Sequence, residues 1–449
     1  MIKKNKLIYF LFFIILVNCS FDNKTGIWDD GENEKKRISI LAERQNQVIQ
    51  KNKIYSSERI FDKEILLNKK INLSKPKNNL SWVMPGLNYK NSFGNLYLPG
   101  VDNVVLKKKI GKNKFSLSKP NSSLLFFDEN IILSDDTGTI YSADEAGKIK
   151  WRKNIYSKAY KKIYKILTFA IYENKIYIAD NIGFVYAVNF HDGELVWVKN
   201  HATPFKSKIK IFENKIILIN QDNRLLSFDT KDGSKIWDIR SISSFIKSKN
   251  LLSVSITKEG NIISINTYGD LTKINSKNGN IFWSKNTAES MLEHATDFFK
   301  FSDVVIHKNN IIFSTGITIF SFDKITGYTK WSQEVSSVST PIVVKNNIFL
   351  VTENGYFVIL NAETGKIISS TNILKVLKNN KQKTKITGFI MGSGKIYSVT
   401  YNGYLIVSSA YSGKVESFKK IGDLIVSNPI INDGKLFILT KNSRLFVFQ

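Results

Sequence analysis

The sequence predicts an all-β protein, an eight-bladed β-propeller of four-stranded antiparallel blades formed by residues 104–449. Three observations predict this fold. One pattern recurs eight times, at spacings of 37 to 49 residues. Each copy divides into short β-branched and aromatic runs separated by Asn, Asp and Gly turns. The first and last copies are incomplete in complementary ways. Residues 1–103 lie outside the repeat and divide into three further segments.

Residues 1–18 have the features of a lipoprotein signal peptide. Three lysines stand within the first six residues, and an 11-residue apolar run follows from Leu7 to Val17. A bilayer core needs about 20 helical residues, so this run is too short to span it but suits a signal peptide. The run ends at Cys19, the only cysteine of the chain, in a stretch that resembles a bacterial lipobox. We expect Cys19 to be the lipidated first residue of the mature protein; the alternative is an ordinary signal peptide with an incidental cysteine.

Two segments separate this signal from the repeat. Residues 19–55 are polar and are predicted to form a flexible, lipidated tether. Residues 56–103 are predicted to be an N-terminal segment that packs on the propeller. Ser20 follows the cysteine, where an aspartate would resemble an inner-membrane retention signal. This favours delivery to the outer membrane, with the lipid as anchor.

Most repeats contain a Gly-x-x-x-Trp motif, with serine in place of the aromatic residue at Ser369 and Ser417. The glycine supplies positive φ for a tight connection into the last strand, from which the tryptophan can pack across the next unit. An Asn or Asp four residues before most of the glycines can bond its own backbone two residues on. The predicted blade-docking residues are Gly147, Gly193, Gly233, Gly279, Gly327, Trp151, Trp197, Trp237, Trp283 and Trp331.

The two ends of the repeat region predict how the ring closes. The eighth copy stops at Gln449, before any Gly-x-x-x-Trp strand. An orphan strand, Val104 to Lys109, precedes the first copy. Paired with the C-terminal strands, it completes one blade and closes the propeller. A β-sandwich array or an open solenoid would leave the missing piece unexplained.

Composition argues against several function classes. The 449 residues include 65 Lys and Arg against 38 Asp and Glu, a formal net charge of +27. The lysines are scattered through strands and turns without an Arg-rich block, so we interpret the charge as compositional bias rather than a basic binding face, and expect no nucleic-acid partner. A single cysteine rules out internal disulfides and thiolate metal clusters, and the four histidines lack metal-binding spacing. We expect no metal site, no cofactor and no catalytic residues.

The repeat is similar to the tryptophan-docking repeat of pyrroloquinoline-quinone-type propellers. Two families share it: quinoprotein dehydrogenases and the BamB lipoproteins of the outer-membrane β-barrel assembly machinery. The whole chain resembles the BamB family in its α-proteobacterial form. The lipobox, the single propeller and the segment from Ser81 to Gly86 carry the resemblance. That segment resembles the family's Trp-Pro-x-x-Gly-Gly stretch, with Val83 in place of the proline and Leu87 in place of the second glycine.

The resemblance implies a non-enzymatic scaffold on the periplasmic face of the outer membrane. In the family, the partners are the periplasmic POTRA domains of the barrel-inserting subunit, other assembly lipoproteins and unfolded outer-membrane clients. Their contact face lies in loops around the middle blades, which correspond here to Phe245, Ile246, Lys247 and Asp297. Alternatively, Phe245 and Ile246 simply enter the first strand of a blade. The longest break in the repeat, residues 287–301, is a second candidate contact or an insertion that packs on its own blade.

Two other functions stay open. A periplasmic quinone-dependent dehydrogenase, by its own family's pattern, needs calcium ligands, a catalytic aspartate and usually a vicinal disulfide. One cysteine cannot form that disulfide, and acidic residues such as Asp229 and Asp323 occupy turn positions of the repeat. A basic propeller that binds carbohydrate or lipopolysaccharide would show an affinity that falls with salt.

Overall fold

The computed structural model describes residues 20–21, 28–29, 61–115, 124–160, 162–240, 251–287, 301–337, 339–377, 384–425 and 427–449. The chain divides into two compact units, Met1–Arg59 and Ile60–Gln449. In the first unit, β1 (Ser20–Phe21) pairs antiparallel with β2 (Trp28–Asp29).

The second unit contains eight four-stranded antiparallel sheets, which confirms the predicted eight-bladed propeller. Blades 1 to 7 are meanders in chain order, and their first strands contact one another around a central channel. The strands of blades 1 to 4 are β4 (Leu125–Phe127), β5 (Asn130–Ser134), β6 (Thr139–Asp144), β7 (Ile149–Asn154), β8 (Leu167–Tyr172), β9 (Lys175–Asp180), β10 (Phe184–Asn189), β11 (Leu195–Asn200), β12 (Lys210–Phe212), β13 (Lys215–Ile219), β14 (Leu225–Asp229), β15 (Lys235–Ile239), β16 (Val254–Ile256), β17 (Asn261–Ile265), β18 (Asp270–Asn275) and β19 (Ile281–Asn286).

Blades 5 to 8 repeat this arrangement, with one strand of blade 8 taken from before the first blade. Their strands are β20 (Val305–His307), β21 (Asn310–Ser314), β22 (Ile319–Asp323), β23 (Thr329–Gln333), β24 (Ile342–Val344), β25 (Asn347–Val351), β26 (Tyr356–Asn361), β27 (Ile367–Asn372), β28 (Ile386–Gly392), β29 (Lys395–Thr400), β30 (Tyr404–Ser409), β31 (Val415–Lys420), β32 (Ile430–Asn432), β33 (Lys435–Leu439), β34 (Arg444–Phe448) and, as the outer strand, β3 (Val104–Lys109).

The ring closes as the sequence predicts. Strand β3 pairs antiparallel with β34, from Val104 opposite Phe448 to Lys109 opposite Arg444. Backbone bonds of 3.0 and 3.1 Å between Asn103 and Gln449 extend the pairing by one residue. Both ends of the propeller sequence therefore meet in one blade, and no described blade lacks an outer strand.

The middle strands of each blade form the core because their apolar residues run continuously instead of alternating. In blade 1, Ile131, Ile132 and Leu133 are all fully buried between neighbouring blades. Helical structure in the described residues is confined to short 3-10 turns such as Lys158–Tyr160. None of the described helices combines the length and apolar character needed to cross a bilayer.

The meander gives the ring two distinct faces. The turns after the first and third strands of each blade lie together at one end, which we call the turn face; in blade 3 these are the turns before Lys215 and before Lys235. The connections between blades and the turns after second strands lie at the other end, the connection face. The inner strands begin at the connection face and end at the turn face.

Candidate functional site

In blades 2 to 7, the turn before the outer strand is built by the polar residue predicted from the sequence. In blade 2, Asn189 Oδ1 accepts a 2.8 Å bond from the backbone N–H of His191, two residues on, and Asn189 O accepts one of 3.0 Å from Gly193. Gly193 has a φ of +72°, which glycine adopts without strain. The same bond two residues on is made by Asp229, Asn275, Asp323, Asn361 and Ser409.

The tryptophans of blades 1 to 5 lie against the glycine of the following blade. A Cβ on Gly193 would lie 2.7 Å from the Trp151 ring, so no larger residue fits there. The Trp151 indole N–H also donates to Phe190 O at 3.1 Å, which ties blade 1 to blade 2. Trp197, Trp237 and Trp331 make corresponding bonds of 3.0 to 3.2 Å. The ring and glycine pairs are Trp151–Gly193, Trp197–Gly233, Trp237–Gly279, Trp283–Gly327 and Trp331–Gly365.

Trp283 packs on its glycine but lacks the hydrogen bond. Its buried Nε1 has no partner among the described residues. The corresponding carbonyl, Lys324 O, accepts instead from Lys273 Nζ at 3.2 Å. Lys273 lies opposite Trp283 across the β18–β19 pair, where the other tryptophans face Ser or Ala. A lysine at this position therefore displaces the indole N–H, and burial lowers the pKa of Lys273.

Other side chains take the ring's place where the tryptophan is absent. Gly147 in blade 1 lies against Leu106 and Lys108, which belong to the outer strand of blade 8. Gly413 in blade 7 lies against Thr371 of β27, because Ser369 carries no ring. The small docking glycine is thus kept while its partner changes.

Residues 61–73, which we call the edge segment, cover the outer strand of blade 6. The N–H of Ile65 donates to Ser370 O at 3.0 Å, and the N–H of Ser370 donates to Ile65 O at 2.9 Å, an antiparallel bridge. The Glu64 carboxylate accepts a 3.1 Å bond from the N–H of Asn372. The edge segment therefore forms a single antiparallel bridge with the outer strand of this blade.

Residues 79–96, which we call the channel segment, cross the turn-face end of the central channel. Their backbone joins that of six blades through bonds of 2.7 to 3.4 Å. The bonded pairs are Trp82–Phe126 in both directions, Val83–Ile171, Tyr89–Ile256, Lys90–Ile306, Leu96–Met391 and Asn79–Asp433. The propeller fills this end of its own channel with its own chain.

Lys210 fastens the channel segment to the remaining middle blade, blade 3. Its side chain is fully buried, and Nζ donates to Asn88 O at 2.8 Å, to Asn91 Oδ1 at 2.6 Å and to Pro85 O. The Asn91 amide in turn donates to Val304 O at 2.9 Å. Three oxygens thus match the three donors of the ammonium form, while burial lowers the pKa of Lys210 to about 7.

A second polar cluster lies along the inner strands, closer to the connection face. Lys208 Nζ bonds both Asp303 carboxylate oxygens, at 2.6 and 2.9 Å, and so links blade 3 to blade 5. Thr340 Oγ1 donates to the same carboxylate at 2.6 Å. Burial disfavours the Asp303 carboxylate, but Lys208 and these hydrogen bonds hold its pKa below the ordinary value.

These channel residues do not fit a calcium-bound quinone. Asp303 is already shared by Lys208 and Thr340, and Lys210 and Asn91 are bonded to each other. Within the described residues, no group of three or more His, Cys, Asp or Glu side chains is placed to hold a metal ion. These described channel side chains are thus already engaged with one another and with the channel segment.

The predicted partner-contact residues lie outside the described residues. This applies to Phe245, Ile246, Lys247 and Asp297, and also to Cys19, so their roles stay predictions. In the sequence, the first three fall between β15 of blade 3 and β16 of blade 4, and Asp297 falls between β19 of blade 4 and β20 of blade 5. The inner strand of blade 4 begins at Val254.

A family comparison bears on the whole propeller. The family model described as outer membrane protein assembly factor BamB matches residues 136–371, from blade 1 to blade 6 and more than half of the chain. The chain belongs to the BamB family. The matched residues include the Trp-docking turns of blades 2 to 6.

Individual BamB-family relatives are distant. An uncharacterized protein of Rickettsia prowazekii is 22% identical over 254 residues, 55% of this chain and 61% of that protein. Outer membrane protein assembly factor BamB of Shewanella oneidensis is 24% identical over 231 residues, 46% of this chain and 56% of its own length. The matches thus span little more than half the length of these relatives.

Solved structures share the fold of this BamB-family chain. BamB from Moraxella catarrhalis superimposes with a TM-score of 0.62 at 13% identity, covering 77% of this chain and 100% of that one. A europium-containing methanol dehydrogenase has a TM-score of 0.59 at 11% identity, covering 81% and 90%. At these identities the likeness shows a common propeller and does not separate scaffold from enzyme.

The channel contacts of Lys210, Asn91 and Asp303 were missed by the sequence reasoning. One signal for Lys210 was available, because β12 starts with lysine where β4, β16, β20, β24 and β32 start with Leu, Val or Ile. An inner strand buried around a channel accepts a lysine only with oxygen partners. Nothing in the spacing identified the channel segment as the source of those oxygens.

Proposed function

We propose that the protein is a non-enzymatic scaffold lipoprotein of outer-membrane protein assembly. It binds the periplasmic domains of a barrel-inserting subunit, works beside other assembly lipoproteins and helps unfolded outer-membrane proteins to fold and insert. The BamB-family match across blades 1 to 6 is the observation that carries the proposal. In this proposal the protein sits on the periplasmic face of the outer membrane, anchored through lipid on Cys19.

The geometry supports a scaffold in two ways. Strands cross-linked by tryptophan docking and closed by β3 form a closed ring of blades, as a docking platform requires. Most outer strands also keep an exposed edge with apolar side chains; Leu195, Val196 and Val198 of β11 are 41 to 49% exposed. An extended client chain can add to such an edge by β-augmentation.

The propeller fold is compatible with a dehydrogenase, whereas the contacts of the channel residues argue against one. Propeller enzymes with the same architecture exist, as the methanol dehydrogenase comparison illustrates. In this chain, however, Lys208, Lys210, Asp303 and Asn91 already satisfy one another where a cofactor would need free ligands.

Purification of the full-length protein from native membranes in mild detergent, followed by mass spectrometry, tests the proposal. We expect a large β-barrel protein with periplasmic repeat domains to co-purify, and a diacyl or triacyl modification on Cys19. Recovery of the protein without such a partner, together with calcium and a quinone in the preparation, would overturn it.

A matched pair of variants tests the connection face. Lys247→Glu reverses a charge in the predicted contact, whereas Lys277→Glu makes the same change at an exposed turn-face position of blade 4. We expect Lys247→Glu to reduce partner recovery by about tenfold, and Lys277→Glu to leave it unchanged. Equal recovery with both variants would exclude Lys247 from the contact.

A further inference from the structure

Blade 3 contains a small cavity of about 160 Å³ on the connection face. Its lining includes His201 and Thr203 from the connection that enters the blade, Arg224 before β14, and Lys235 and Asp238 from β15. Two basic side chains therefore face one acidic side chain, which leaves an excess positive charge inside the cavity.

The ion pairs of the cavity leave donors unused. Asp238 Oδ2 accepts from Arg224 Nη2 at 2.7 Å and from Lys235 Nζ at 2.6 Å. Arg224 Nε is buried and has no partner among the described residues. Within the described part of the chain, His201 Nε2 is also buried and has no hydrogen-bond partner. A buried guanidinium N–H without an acceptor is costly, so the cavity favours a ligand that supplies one.

Blade 8 has an arginine at the equivalent position, and there the chain itself supplies a carboxylate acceptor. Arg444 follows Thr440 by four residues as Arg224 follows Asn220, and the backbone N–H of each arginine donates to that residue's side-chain oxygen. Arg444 Nη1 donates to Asp423 Oδ2 at 2.7 Å. In blade 8, therefore, a carboxylate from the entering connection neutralises the arginine.

Backbone contacts align the two entering connections residue by residue. Phe205 forms a bridge with Asn220 in blade 3, and Ile425 forms the same bridge with Thr440 in blade 8. Two residues before each of these positions stand Thr203 in blade 3 and Asp423 in blade 8. Thr203 thus occupies the place of the aspartate, with a shorter and uncharged side chain.

We propose that the blade 3 cavity binds a carboxylate group, which takes the place that the Asp423 side chain fills in blade 8. Arg224 and Lys235 supply the charge, and the Arg224 and His201 nitrogens and the Thr203 hydroxyl supply hydrogen bonds. The ligand enters beside Lys235, whose side chain is 49% exposed, against 16% for Asp238. The carboxylate is either a small organic acid or an acidic side chain of a protein; this site does not depend on the proposed scaffold role.

Histidine NMR signals provide a direct test. The chain has only four histidines, so selective labelling gives few signals, and His201→Gln assigns the relevant one. The full-length protein is titrated with sodium acetate and with N-acetyl-aspartate amide, against sodium chloride at equal ionic strength. We expect a saturable shift of the His201 signal with the carboxylates and none with chloride. Tighter binding of acetate indicates a free acid, and tighter binding of the aspartate amide indicates a protein side chain.

Two variants and a control make the test specific. Thr203→Asp places an internal carboxylate in the cavity, and we expect it to abolish the titration and raise the unfolding temperature. Arg224→Gln is expected to weaken binding by about tenfold or more, whereas Arg444→Gln in blade 8 leaves binding unchanged. Equal shifts with chloride, a preference for inorganic phosphate, or normal binding to folded Thr203→Asp would each overturn the proposal.

Discussion

Blades 2 and 6 share one architecture but treat their outer strands in opposite ways. In blade 2, β11 carries the docking tryptophan and leaves both flanking apolar side chains and the strand edge exposed. In blade 6, β27 carries Ser369 instead, is largely buried, and is paired by the edge segment through Ile65. An outer strand of this propeller thus accepts backbone pairing from an extended segment at one bridge, and the edge segment is a limited internal example of the client binding proposed for the free edges.

The largest difference between the two blades is expected at the tryptophan position. Trp197→Ala empties the contact with Gly233 and removes the bond to Thr230 O, so we expect a loss of about 3–5 kcal/mol of stability. Ser369→Ala at the equivalent position removes only a buried hydroxyl without a described partner, with little or no loss. Thermal unfolding followed by circular dichroism measures both; similar losses would mean that the ring does not hold blades 2 and 3 together.

A second change tests the channel segment, which continues from the edge segment. Lys210→Met leaves Pro85 O, Asn88 O and Asn91 Oδ1 without their donor, so we expect a loss of about 3 kcal/mol. The loss depends on pH, because burial lowers the pKa of Lys210 in the folded state to about 7 from its ordinary value of 10.5. Between these values the unfolded chain binds more protons, so the stability of the wild type rises with pH.

Comparison of the two proteins isolates this effect from the other lysines. We expect the difference in unfolding temperature between wild type and Lys210→Met to be larger at pH 9.5 than at pH 7. The same difference at both values would contradict a lowered pKa. Hydrogen exchange of residues 79–96 should accelerate in the variant at either pH.

A smaller effect is expected where the edge segment pairs with blade 6. Ile65→Pro removes the N–H that donates to Ser370 O, and we expect a loss of about 1–2 kcal/mol and faster exchange of the Ser370 amide. Leu66→Ala, at the next residue, changes a side chain that is 92% exposed and serves as the control. Unchanged exchange at Ser370 in the proline variant would show that the bridge contributes nothing to covering β27.

The smallest expected effect is a gain. Lys273→Ser restores the small residue found opposite the other tryptophans and frees Lys324 O for the Trp283 indole N–H. We expect a stabilisation of about 0.5–1.5 kcal/mol, measured by thermal unfolding. The matched change Lys285→Ser, on the same blade's outer strand, should have no such effect. Equal stability of Lys273→Ser and wild type would mean that the indole stays unpaired.

The repeat fold was predictable because its determinants are local. Asn189 and Gly193 specify one turn by their own backbone preferences, and each copy restates that turn. Closure was predictable as well, since a missing strand at one end matched an extra strand at the other. Both features depend on short sequence patterns or on counting strands.

The channel and the edge segment were not predictable to the same degree. Ile65 and Asn91 reach Ser370 and Val304 across more than half of the propeller sequence, and no periodic pattern records such contacts. The blade 3 cavity could not be predicted from the sequence either. Thr203 and Asp423 are recognised as equivalent positions only after backbone contacts align the two connections. These contacts depend on differences between the copies of the repeat, and the differences can be interpreted only with the structure.

Closure of blade 8 also sets an order of events in folding. Strand β3 is synthesised before any blade, yet its partner β34 follows about 340 residues later, so the pairing closes a very long loop. Until then Val104 and Val105 have no strand to pair with, and the seven earlier blades form an open arc with two unprotected ends. We therefore expect ring closure late in folding, and we expect a chain that lacks β34 to leave strand edges exposed to aggregation.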